Sequence, residues 1–124
     1  MDLNQITIPS LDVESAIGFY ETLGLKLIVK ALPKYVRFEC PDGNSTFSIH
    51  HVEELPKGNK ITIYFEDDHL DNLVSQLQVK GIVFDSLPED KPWLWREAHL
   101  KDMDGNNIIL YNAGQHRKNP PWRI

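Results

Sequence analysis

Trp95, Glu97 and His99 share one parity along an extended segment, so a strand there would present an indole, a carboxylate and an imidazole on the same side, with Leu94, Ala98 and Leu100 turned the other way. Glu97 could serve as a general base, or it could pair with Lys60, Arg37 or Arg96. His50 and His99 are the other acid–base candidates, although a single histidine more often serves the structure as a hydrogen-bonding group. Together with Glu97 they could also build a His-Glu-His site for a divalent metal. Tyr64 and Tyr111 can cap a polar ligand group through their hydroxyls or simply pack, and Trp95 can stack on a ligand or on a neighbouring strand.

Periodicity supplies the elements that must carry these groups. Leu3–Ile8 alternates and reads as a strand; Asp12 then caps a helix whose Val13, Ala16, Ile17 and Tyr20 share a face and which Gly24 ends. Lys26–Ala31, Tyr35–Cys40 and Thr46–Val52 read as three strands, the last two joined by the turn Pro41-Asp42-Gly43. The order then restarts. Lys60–Phe65 is a strand, Asp67 or Asp68 caps a helix with Leu70, Leu73, Val74 and Leu77 on one face, and Gly81 ends it. Ile82–Phe84, Leu94–Lys101 and Ile108–Asn112 read as strands, the last pair joined by the hairpin Asp102-Met103-Asp104-Gly105.

Each half thus reads as one βαβββ unit. Ile6-Thr7-Ile8 returns as Ile61-Thr62-Ile63, Gly24 as Gly81 and Gly43 as Gly105, in the same order, which marks an internal duplication. The expected organisation is one α+β domain over residues 1–124, with modules at 1–55 and 56–114 and a tail at 115–124. In each module the helix covers one sheet face, and the other face must meet solvent or enclose something.

A chain of 124 residues with 41% hydrophobic and 25% charged residues belongs to the ordinary globular class. A net charge of −5 argues against nucleic acid and anionic membrane as partners, and no apolar run approaches bilayer length. The opening Met1-Asp2-Leu3-Asn4-Gln5 does not resemble a secretory signal, and a lone Cys40 fits a reducing compartment, so a cytoplasmic protein is expected. The basic residues His116, Arg117 and Lys118 read as a solvated tail, and the prolines of Asn119–Ile124 exclude a regular helix or central strand there.

The strings "QITIPSLDVESAIGFYETLGLKL", "ITIYFEDDHLDNLVSQLQVKGIVF" and "PWLWREAHLKDMDGNNIILYNAG" together resemble the vicinal oxygen chelate superfamily of glyoxalases, bleomycin-resistance proteins and extradiol dioxygenases. In "DMDGNNIILY", Met103 stands where the family's hairpin carries proline. The resemblance implies two βαβββ modules whose eight strands form a curved sheet around a small-molecule cavity. It places the family's metal-ligand positions at Gln5, Ser48, Lys60 and Ile109, of which only glutamine is a residue type the family uses there. Serine, lysine and isoleucine cannot complete a divalent site, so no standard metal is expected, and Lys60 could offer an ammonium to an anionic group instead. The implied wall comprises Gln5, Thr7, Ser48 and His50 from the first module. From the second come Lys60, Thr62, Tyr64, Trp95, Glu97, His99, Asn107 and Tyr111. It suits a ligand with a planar apolar body and a few polar groups. The expected function is small-molecule binding in the manner of the bleomycin-resistance members. The alternative is a lyase, isomerase or dioxygenase-type enzyme using a Glu97 or histidine base or a non-standard metal. The family's habit and the Trp122-Arg123-Ile124 terminus favour a homodimer.

Overall fold

The computed structural model describes residues 1–124, which divide into two units, Met1–Lys60 and Ile61–Ile124. The first contains β1 (Gln5–Ser10), α1 (Val13–Thr22), β2 (Lys26–Ala31), β3 (Tyr35–Glu39) and β4 (Thr46–His51). The second contains β5 (Thr62–Glu66), α2 (Leu70–Val79), β6 (Ser86–Asp90), β7 (Arg96–Lys101), β8 (Asn107–Asn112) and a short 3-10 helix, Gly114–Arg117. The expected eight-stranded sheet is two four-stranded sheets, ordered β1-β4-β3-β2 and β5-β8-β7-β6. In both, the module's first strand runs parallel to its last and the remaining pairings are antiparallel.

The repeated tripeptide has the same environment in each copy. Ile6 and Ile61 are 39% and 40% exposed, whereas Ile8 and Ile63 are 1% and 5% exposed. Both helices also close identically. The Leu25 N–H donates to the Tyr20 carbonyl at 3.1 Å and the Ile82 N–H to the Leu77 carbonyl at 3.0 Å. The intervening Gly24 and Gly81 hold φ of 107° and 93°, a left-handed conformation that suits glycine alone.

In the first unit Val13, Ala16 and Tyr20 of α1 bury against Ile8, Val36, Phe38, Phe47 and Ile49. Asp12 caps α1 by accepting the Ser15 N–H at 3.2 Å. In the second unit Leu70, Val74 and Leu77 of α2 cover a sheet face formed by Ile63, Ala98, Leu100, Ile108 and Leu110. Here the N-cap is His69, not an aspartate, and Asp67 instead accepts the His69 N–H at 2.7 Å. Neither helix is long and apolar enough to cross a membrane.

Three strand expectations need correction. Ile82–Phe84 is not a strand: the Ile82 N–H is spent on closing α2 and Val83 is exposed, while the strand is Ser86–Asp90. That edge strand contains Pro88 and shifts register between Ser86 and Glu89, so it lacks the alternation by which strands are recognised. Leu94 lies in a turn with φ 69°, exposed rather than against α2. Lys60 lies two residues before β5 and is exposed. The tail also differs from a free one, since Arg117 reaches Glu66 at 3.6 Å.

Candidate functional site

Each sheet leaves one face without a helix, and the candidate residues collect there. On the second unit the ladders set Glu97 opposite Tyr111, His99 opposite Ile109, and Tyr64 beside Ile109. Parity then brings Tyr64, Trp95 and Tyr111 together. Trp95 stacks on Tyr111 with centroids 4.8 Å apart and planes at 26°, and Tyr64 meets Trp95 and Tyr111 edge-on at 5.9 and 5.4 Å. Tyr111 is buried, Trp95 half-buried and Tyr64 half-exposed, so the cluster is anchored at one end and open at the other. The Trp95 indole also donates to the His116 carbonyl at 3.4 Å, holding the 3-10 helix near the cluster.

Glu97 is 2% exposed. One of its oxygens accepts the Trp93 indole N–H at 2.7 Å and the other meets His99 Nε2 at 2.8 Å. Of the cations expected beside it, Arg96 is clamped instead by Asp71 at 2.9 Å and Asp90 at 3.0 Å. Trp93 reaches the carboxylate because the chain folds back ahead of β7. In that turn the Lys91 N–H donates to the Trp95 carbonyl at 2.7 Å and Leu94 adopts its left-handed conformation.

Glu66, on the same face, accepts the backbone N–H groups of Ala113 and Gly114 at 2.8 and 3.0 Å and so fixes the start of the 3-10 helix. Burial raises the Tyr111 phenol above its ordinary range, reinforced by the negative charge of Glu66. The folded state therefore holds a proton that the unfolded chain releases, and this contribution is complete below about pH 10 and lost as pH climbs through the raised value. Tyr111→Phe is expected to flatten the alkaline fall in unfolding free energy above about pH 10. Urea titrations at stepped pH would show this, and an unchanged slope would contradict it.

On the first unit the helix-free face carries Gln5, Ser48, Tyr35 and Arg37, with His50 exposed at its end. Gln5 donates through Nε2 to Ser48 Oγ and accepts the Thr46 hydroxyl through Oε1. Tyr35 OH lies 2.6 Å from Ser48 Oγ and accepts Arg37 Nε–H at 2.9 Å. Sequence reasoning passed over Tyr35 and Arg37 as functional groups. The available signal was their shared parity with Glu39 on one strand, opposite the side that buries Val36 and Phe38.

At the four positions where the resemblance places the family's metal ligands, the side chains are engaged otherwise or lack a lone pair to offer. The Gln5 oxygen is taken by Thr46, Ser48 is a hydroxyl bound to Gln5 and Tyr35, Lys60 is an exposed ammonium, and Ile109 has no donor. No group of three or more His, Cys, Asp or Glu side chains stands together in a way that could hold a metal. Glu97 and His99 share one unit, and His50 belongs to the other.

The sequence model of the Glyoxalase/Bleomycin resistance protein/Dioxygenase superfamily matches residues 2–110. Among solved structures, a glyoxalase/bleomycin resistance protein/dioxygenase from Nocardioides is 21% identical, with a TM-score of 0.79 over 100% of this chain and 89% of that one. A lactoylglutathione lyase from Agrobacterium tumefaciens is 15% identical, with a TM-score of 0.75 over 90% of this chain and 92% of its own. A bleomycin-binding protein complexed with bleomycin is 22% identical, with a TM-score of 0.75 over 90% and 98%. At these identities the likeness is one of fold. No curated protein matches the chain.

Proposed function

Because the chain belongs to the glyoxalase/bleomycin resistance protein/dioxygenase superfamily, we propose that it binds a small molecule without the superfamily's standard metal, seating it against the Trp95–Tyr111–Tyr64 face of the second unit. The observation that carries this reading is the stacked pair Trp95–Tyr111, with the half-exposed Tyr64 ring beside it, on the same sheet face as the buried Glu97. The rings offer area to a planar apolar body, and Glu97 with His99 offers an acceptor and a titratable group to its polar end. The fold-level likeness to a bleomycin-binding protein supports it as analogy.

Tryptophan fluorescence titrated with a panel of planar amphipathic compounds tests the proposal. A saturable change in the wild type that falls at least tenfold in affinity in Trp95→Ala is expected. No saturable change across the panel, or equal affinity in the variant, would sink it. Glu97→Met sharpens the test. Because the buried carboxylate accepts the Trp93 indole N–H and meets His99, an apolar side chain of similar size leaves those groups without their partner and is expected to cost about 1–3 kcal/mol. The same variant should lose the preference for ligands that carry a hydrogen-bond donor. A loss well beyond about 3 kcal/mol, with ligand preference unchanged, would show instead that the carboxylate serves the fold.

The 2.8 Å Glu97–His99 contact favours a second reading, a lyase, isomerase or dioxygenase-type enzyme of the same superfamily with this pair as base or as part of a non-standard metal site. Elemental analysis of protein purified without chelator, repeated on Glu97→Gln and His50→Ala, separates the two. Stoichiometric metal that disappears in the variants would support the enzyme with a metal. Carbonyl-adjacent proton exchange by metal-free protein, abolished in Glu97→Gln, would support the version without one. The proposal extends to a cytoplasmic homodimer, motivated by the lone Cys40 and the exposed Trp122 and Ile124. Sedimentation velocity showing only monomer at micromolar concentration would remove the dimer.

A further inference from the structure

Arg37 is the arginine whose guanidinium has no carboxylate or amide oxygen. Arg96 is held by Asp71 and Asp90, Arg117 lies by Glu66, and Arg123 donates to Asn119. Glu39, two residues along the same strand, is paired with Lys26 at 3.6 Å. Arg37 is half-buried and spends only Nε, on Tyr35. Its two terminal nitrogens are therefore left facing an environment where a half-desolvated cation gains most from an anion.

The hydroxyl chain beneath it resolves by counting protons. Ser48 is 0% exposed, so its single hydroxyl hydrogen must find a partner inside the protein. Its oxygen already accepts from Gln5, and the neighbour able to take its hydrogen is the Tyr35 oxygen 2.6 Å away. Tyr35 then accepts twice, from Ser48 and Arg37, and its own hydrogen is turned outward. Burial works against ionisation of this phenol, but the Ser48 and Arg37 hydrogen bonds and the Arg37 charge outweigh it and hold Tyr35 below the ordinary tyrosine range, which makes it a stronger donor.

We propose that Tyr35 and Arg37 form a seat for an oxyanion, a carboxylate or phosphate group of a small molecule, on the helix-free face of the first unit. The Tyr35 hydroxyl and the two free Arg37 nitrogens are the three donors, and Gln5 and Ser48 are positioning residues that orient the phenol without meeting the ligand. On a chain with a formal charge of −5, attraction for anions arises at such a built site rather than from the general field. The proposal goes beyond the aromatic reading and does not rest on it.

Amide-resolved NMR titration of the full chain with benzoate, with inorganic phosphate and with the neutral isostere benzamide tests it. Benzoate or phosphate is expected to shift first-unit resonances saturably, and benzamide is not. Preference for benzoate identifies a carboxylate ligand and preference for phosphate a phosphorylated one. R37Q should weaken the anion at least tenfold, and R37K should weaken it nearly as much because the planar fork is lost. Y35F, which keeps the ring, should weaken it severalfold and, by leaving the buried Ser48 hydroxyl without its acceptor, lower the melting temperature modestly while the chain stays folded. Binding of benzamide equal to that of benzoate, binding unaffected by R37Q, or no saturable shift with either anion would overturn the proposal. Failure here leaves the Trp95 fluorescence result standing, and the converse holds.

Discussion

Tyr20→Ala is expected to lower the unfolding free energy of the first unit by about 3–5 kcal/mol, the range for truncating a fully buried large aromatic. The ring is completely enclosed and has aromatic neighbours on three sides. Phe47 lies 4.8 Å away between centroids, Phe19 at 5.0 Å and Phe38 at 6.0 Å. It is the contact by which α1 grips β3 and β4, the strands that display Tyr35, Arg37 and Ser48 on their opposite side. With total stabilities of small domains at about 5–15 kcal/mol, the loss should leave the unit close to unfolding at ambient temperature. Urea denaturation followed by far-ultraviolet circular dichroism measures it, with Tyr20→Phe as the volume-conserving control. A loss below about 1 kcal/mol in the alanine variant would mean that the core closes over the hole far better than buried aromatic sites do.

The hairpin at Asp102 is the second point of high leverage. Its buried carboxylate accepts the Asp104 and Asn106 backbone N–H groups at 2.9 and 3.0 Å through one oxygen and the Asn106 side chain at 3.0 Å through the other. Hydrogen bonds to a charged acceptor contribute about 1.5–3 kcal/mol, and these three share one group, so Asp102→Ala is expected to cost about 2–4 kcal/mol. Asp102→Asn should cost less because one oxygen survives. The consequence reaches the site, since this turn sets the β7–β8 register that puts Glu97 opposite Tyr111. Near-ultraviolet circular dichroism of the Trp95–Tyr111 stack should therefore weaken in Asp102→Ala before secondary structure is lost. A stack signal that persists until global unfolding would show that the register is held elsewhere.

Most of the architecture is legible in local pattern. The α1 and α2 faces emerge from apolar residues at helical spacing, and the twin glycines at 24 and 81 announce a left-handed exit that few other residues accept. Ser86–Asp90 was illegible for the opposite reason: an edge strand with a proline and a register shift has no alternation to read, while Ile82–Phe84 is β-branched and apolar yet occupied with ending a helix. At the site, Trp95, Glu97, His99 and Tyr111 follow from parity along two strands. Trp93 as the partner of Glu97 does not, because it arrives through the turn at Leu94, where a non-glycine residue takes a conformation that no sequence rule assigns to it.

From the sequence by itself come the duplicated βαβββ order and the faces of the helices and strands, because these depend on residue type and on periods of 2 and 3.6 residues. Which polar groups satisfy one another was decided only in three dimensions. Glu97 with Trp93 and His99, and Tyr35 with Ser48 and Arg37, are set by strand register, by turn geometry and by the requirement that every buried proton find an acceptor. None of these is a local property of the chain.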